Sequence, residues 1–129
     1  IARLDAAEGH FARAQVADKR KDYGSAEAEF RKAAAAAPKQ PGRLVDLARF
    51  LARRGRTAES DAAFADAAKL AQSTGSPQVM FSRAETFIEQ KRNLSEARAL
   101  LEKYMASALT PDDPPRARAQ ELLKSIKGS

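Results

Sequence analysis

Tyr23-Gly24-Ser25-Ala26-Glu27-Ala28-Glu29-Phe30-Arg31-Lys32-Ala33 comes back 34 residues later as Thr57-Ala58-Glu59-Ser60-Asp61-Ala62-Ala63-Phe64-Ala65-Asp66-Ala67. Phe30 recurs as Phe64 and Ala33 as Ala67. A third copy is Leu94-Ser95-Glu96-Ala97-Arg98-Ala99-Leu100-Leu101-Glu102-Lys103-Tyr104, where Leu101 falls 37 residues after Phe64. A fixed period of this length is the mark of stacked supersecondary units, none of which can bury its apolar face alone.

The segments ahead of each copy also align. Phe11-Ala12-Arg13-Ala14-Gln15-Val16-Ala17 matches Val45-Asp46-Leu47-Ala48-Arg49-Phe50-Leu51, and both match Phe81-Ser82-Arg83-Ala84-Glu85-Thr86-Phe87. A small residue recurs at Ala14, Ala48 and Ala84. From there to the next small residue, Ala26, Ser60 and Ala97, is 12, 12 and 13 steps. Each unit therefore reads as two short helices, A and B, joined by a turn, with one extra residue in the third turn. Small residues let helix A approach helix B closely, while Phe30, Phe64 and Leu101 fill the space between neighbouring units.

Composition agrees. Ala supplies 29 of the 129 residues, whereas Val, Ile and Thr together number ten, which is too few for a sandwich or barrel. With no Cys there is no disulfide framework, thiolate nucleophile or Cys-ligated metal. The longest apolar run, Ala33 to Ala37, is far short of the roughly 20 residues that span a bilayer. The net charge is +6, but it is spread evenly: residues 1–40, 41–76 and 77–129 each carry a surplus of two. The chain opens Ile1-Ala2-Arg3-Leu4 without an initiator Met, which suggests a piece of a longer polypeptide and leaves the compartment unread.

Local signals suggest boundaries. Pro41 and Pro77 suit a first helical turn, with Ser76 a candidate N-cap. Asn93-Leu94-Ser95-Glu96 reads as a capping box. Asp113 is placed to cap a seventh helix, Pro115 to about Lys127, with Leu122, Leu123 and Ile126 on one stripe. No matching cap precedes the first unit, which leaves room for further repeats upstream.

The pattern resembles the tetratricopeptide repeat (TPR). The first unit carries Asp22-Tyr23, Ala26, Phe30, Ala33 and Pro38, and the second Gly55, Phe64 and Ala67. Ser60 in place of Ala, Tyr104 where a small residue is usual and Gln72 in place of a closing Pro depart from it. The expectation is an all-α, right-handed α-solenoid of seven helices: three TPR-like hairpins (about 3–38, 41–73 and 77–109) and a C-terminal capping helix (about 114–127). The handedness comes from the resemblance alone.

The resemblance also implies a concave groove, lined by the A helices, that binds a peptide or protein segment. Its inner positions fall on Phe11, Val45 and Phe81; one turn on, Gln15, Arg49 and Glu85; then Asp18, Ala52 and Ile88; with Lys19, Arg53 and Glu89 flanking. Phe11, Val45 and Phe81 read either as a groove floor or as core packing against helix B. Arg49 reads as a solvated or internally paired arginine, or as an anchor for a ligand carboxylate. Some members of the family clamp the carboxylate of chaperone tails with Lys and Asn. Here the matching places hold Phe11, Gln15, Asp46, Gln78 and Ser82, so that clamp is missing.

Three basic clusters end the A helices: Lys19-Arg20-Lys21, Arg53-Arg54 with Arg56, and Lys91-Arg92. They could form an edge for nucleic acid or an acidic surface. Cations there also complement the helix macrodipole, and acids follow each cluster, so nucleic acid ranks behind a protein partner. No phosphate loop, zinc spacing or nucleophile with a base is present. His10 suits a satisfied interface, and Asp112-Asp113 a helix start. The expectation is a non-catalytic adaptor or scaffold module without metal or cofactor, with self-association as a further alternative.

Overall fold

The computed structural model describes residues 5–127, apart from the side chains of Thr74 and Lys127. The opening Ile1-Ala2-Arg3-Leu4, and with it the expected start of the first repeat, lies outside the described residues. Seven α-helices occur among the described residues: α1 (Ala6–Lys19), α2 (Tyr23–Ala36), α3 (Pro41–Arg53), α4 (Thr57–Thr74), α5 (Gln78–Glu89), α6 (Leu94–Met105) and α7 (Arg116–Lys127). No strand occurs among the described residues. The chain divides into two compact units, Ile1–Leu70 and Ala71–Ser129.

In the first unit the small residues sit at the closest approaches. Ala14 of α1 and Ala26 of α2 are fully buried. Phe30, one helical turn after Ala26, lies on the same face. Its ring packs 6.2 Å from Phe11 of α1 and 5.0 Å from Phe50 of α3. One aromatic side chain therefore joins its own hairpin to the next. Leu47, Phe50 and Leu51 complete this core. Ser60, which stands where the repeat calls for Ala, is buried; its Oγ donates to the Ala48 carbonyl at 2.8 Å. A buried hydroxyl is tolerated there because it has an acceptor.

The turns explain themselves through backbone geometry. Lys21, Gly55 and Lys91 have φ of 64°, 76° and 56°. Around each, two amides reach back in the same way: Lys21 N to Asp18 O and Asp22 N to Ala17 O; Gly55 N to Ala52 O and Arg56 N to Leu51 O; Lys91 N to Ile88 O and Arg92 N to Phe87 O. These are three Schellman motifs in register. In the first, Asp22 does double duty, its side chain accepting from Ser25 N to start α2.

The third turn corrects one expectation. Asn93 does precede α6, but with φ 51° it is left-handed and its side chain makes no capping bond. The extra residue forces a second left-handed position after Lys91, and Asn tolerates that conformation better than most residues. Its side chain cannot then close a capping box. At α3, Pro41 is the first helical residue, as expected. At α5 the helix begins at Gln78, with Pro77 at the N-cap and no side-chain cap bond.

In the second unit Phe81, Ala84, Phe87, Ala97, Leu101 and Tyr104 form a core with Ala119, Leu122 and Ile126 of α7. Tyr104 is fully buried, its ring 5.2 Å from that of Phe81. Its hydroxyl donates to the Pro114 carbonyl at 2.5 Å. The large residue at a normally small position thus pins the chain entering α7. Arg116 helps, donating to the Met105 and Ser107 carbonyls at the end of α6. Asp113 does not act on α7 as expected. Its carboxylate accepts from the amide and hydroxyl of Thr110, closing the turn before the helix.

Candidate functional site: a cleft between α1 and α3

A cleft of about 340 Å³ opens in the first unit, lined by Phe11, Gln15, Asp18, Lys19, Phe30, Asp46, Arg49 and Arg53. It follows from the helical phase. Phe11, Gln15 and Asp18 lie on one stripe of α1, and Asp46, Arg49 and Arg53 on one stripe of α3. The tilted ring pair of Phe11 and Phe30 supplies its apolar part. Arg43 lies over the Phe11 ring at 4.5 Å.

The charges are unequally placed. Arg53 Nη2 donates to Asp18 Oδ2 at 2.8 Å, so this pair is neutralised within the protein. Asp46 is different. Its side chain is 28% exposed, and Arg43 Nη1 lies 3.3 Å away without a hydrogen bond between them. Burial pushes its carboxyl up to about 6, against the opposing pull of Arg43 and Arg49. Loss of hydration outweighs the attraction of both cations.

Six of the twelve expected inner and flanking positions therefore line one cleft: Phe11, Gln15, Asp18, Lys19, Arg49 and Arg53. Val45 is buried in the first unit and offers little surface. In the second unit Phe81 is buried against Tyr104, and Ile88 packs against the core. Glu85 meets Arg118 of α7 at 3.4 Å. The ladder of Phe11, Val45 and Phe81 is thus core at its last two positions and half-buried only at Phe11. Phe30 and Asp46 complete the cleft. Asp46 enters the sequence reading only as a place of the missing carboxylate clamp, and nothing local marks it as buried.

Half of the basic-cluster residues, all of them arginines, are engaged internally. Arg56 donates to Glu27 and Glu59, and Arg31 bridges the same two carboxylates at 2.9 and 3.0 Å. The Arg56 guanidinium holds both Glu27 and Glu59 below the usual carboxylate range. Arg54 stacks on Tyr23 at 3.7 Å and Arg92 on Phe87 at 5.0 Å. Lys19, Arg20, Lys21 and Lys91 are exposed. His10, through Nδ1, pairs with Glu29 at 2.8 Å between α1 and α2 and, with Arg13, lowers the Glu29 carboxyl. Among the described residues no group of His, Asp and Glu side chains is arranged to hold a metal, and no helix is long and apolar enough to cross a membrane.

The structure is similar to the N-terminal domain of stress-induced protein-1 (STI-1) from C. elegans, with a TM-score of 0.68 and 21% identity. The match covers 96% of this chain and 94% of that one. The fold is a TPR-like helical repeat. No family model matches the chain, and no curated protein matches it by sequence.

Proposed function

We propose that this chain is a non-catalytic protein-interaction module and that the α1–α3 cleft receives a peptide segment of its partner. The observation that carries this reading is the cleft itself, where an aromatic floor lies beside charged and amide side chains supplied by two rigid helices. Small numbers of polar groups over an apolar surface fix a ligand's orientation, while the surface supplies affinity. Arg49 anchors a partner carboxylate, and Phe11 packs against its apolar neighbours. The likeness of fold to the STI-1 domain is consistent with a binding role.

The test uses a labelled peptide of alternating glutamate and leucine. Its addition should shift the backbone amide resonances of Phe11, Gln15 and Arg49. Arg49→Glu should abolish capture while circular dichroism stays helical, and Phe11→Ala should weaken it. Capture that survives Arg49→Glu unchanged would remove the cleft as the binding surface. Phe81→Ala is unsuitable for this test, because truncating a buried ring measures folding rather than recognition.

A further inference from the structure

Opposite the buried Ala7 and Ala14, α1 carries the exposed residues Glu8, Ala12, Val16 and Arg20. They stand four residues apart and so form one row along the helix surface. Val16, at 50%, is the one exposed large apolar side chain among the described residues. Beside it lies a depression of about 320 Å³, lined also by Ala12, Arg13, Ala17, Arg20 and Asp22. Arg13 is engaged by Glu29 at 3.2 Å, and Asp22 accepts from Ser25 N. No ion pair to another described residue engages Glu8 or Arg20.

The row runs acid, small, apolar, base, and reversed it is its own complement. One antiparallel register sets Ala12 opposite Val16 and, in the same alignment, Glu8 opposite Arg20. A parallel alignment sets acid on acid and base on base. The helix dipole accounts for an acid near the start of α1 and a base at its end, but not for their sharing a row with the exposed valine.

We propose that α1 of one chain pairs antiparallel with α1 of a second copy, the Val16 of each entering the depression of the other. Rows of this spacing pack side by side when the two axes cross at about −50°. Two-fold symmetry repeats every contact, so a Glu8–Arg20 pair closes each end of an Ala12–Val16 centre. Ala12 leaves the room that the valine of the other copy fills. Apolar burial supplies the attraction, and the end charges fix the direction. Exposed ion pairs add little affinity, so association is weak and belongs to high concentration. Neither Glu8 nor Arg20 lines the α1–α3 cleft, so this face is independent of the proposed peptide site.

Sedimentation equilibrium of the chain from about 10 μM to about 1 mM tests this. The mass should rise from 14.0 kDa towards twice that value, and less steeply as salt is raised. Glu8→Arg, Arg20→Glu and Val16→Ser should each weaken association roughly tenfold while circular dichroism stays helical. Mixed in equal amounts, the Glu8→Arg and Arg20→Glu chains should pair with each other about as tightly as wild-type chains do, because acid again meets base at both ends. A chain still monomeric at about 1 mM would overturn the self-pairing and leave the face to another occupant. A dimer indifferent to all three substitutions would also overturn it, since that dimer uses another surface. Weakening by Val16→Ser without rescue in the mixture would overturn the antiparallel register.

Discussion

Phe30 shows how much can rest on one side chain. It is 4% exposed and touches aromatic rings on both flanking helices. Phe30→Ala would leave a cavity between two hairpins that cannot both close in on it. The expected cost is about 3–5 kcal/mol, a large share of the roughly 5–15 kcal/mol typical of a domain. Urea titration followed by circular dichroism measures it. A cost below about 1 kcal/mol would mean that the ring does not tie the hairpins together. Its place was legible in the sequence, because an aromatic recurring at a fixed period among alanines has only one apolar face to occupy. The burial of Asp46 was not legible. The aligned positions are Ala12 and Ser82, and no rule of spacing says that a carboxylate there loses its water.

At the scale of the element, the three turns differ in one informative way. Gly55 occupies the left-handed position at no steric cost, but Lys21 and Lys91 occupy it with a side chain. That costs roughly 1–2 kcal/mol, of which the greater chain entropy of glycine would return about half. Lys21→Gly and Lys91→Gly should each raise stability by about 0.5–1 kcal/mol, seen as a higher melting temperature, and Gly55→Ala should lower it by a similar amount. Unchanged melting in both lysine variants would contradict the geometry. The last helix depends on different contacts. Tyr104→Phe keeps the ring against Phe81 but leaves the Pro114 carbonyl without its donor. A loss of about 1–2 kcal/mol is expected, with faster amide exchange in α7 than in α5. Uniform acceleration across α5, α6 and α7 would argue that the hydroxyl anchors no particular helix. The third turn was misread as a capping box because the sequence counts residues but not their φ angles, and one inserted residue turned Asn93 left-handed.

Over the whole molecule, the acid response combines two opposed effects. Glu27, Glu29 and Glu59 are held low by their partners, so they bind protons less readily folded than unfolded. Their contribution is present above the ordinary carboxylate range and is lost as pH falls through their lowered values. Asp46, raised to about 6, acts in the other direction. It costs nothing below about pH 4, and its cost grows as pH rises towards 6. Stability should therefore climb from about pH 3 to about pH 5 and give part of that gain back by neutrality. Asp46→Asn should add about 1–3 kcal/mol near pH 7 and almost nothing near pH 4. Arg56→Ala should lower stability at neutral pH and flatten the acid limb, less so in high salt. An Asp46→Asn gain of equal size at both pH values would show that its carboxyl is not perturbed.

The repeat by itself determined the helices, their pairing into hairpins, the small residues at close approaches and the placing of Phe30 between the first two hairpins. Those properties follow from local periodicity, since a residue's phase on a helix dictates the face it shows. The tertiary structure decided how the charges are used. Glu27 meets Arg56 across 29 positions, and Arg53 meets Asp18 across 35. Such pairings depend on how far each side chain reaches and how much water it keeps. Tyr104, out of pattern in the sequence, became an anchor only when α7 brought a carbonyl within its reach. The same holds for the cleft. Helical phase placed Asp46 and Arg49 on one stripe, but burial in the folded chain made one of them an acid raised to about 6.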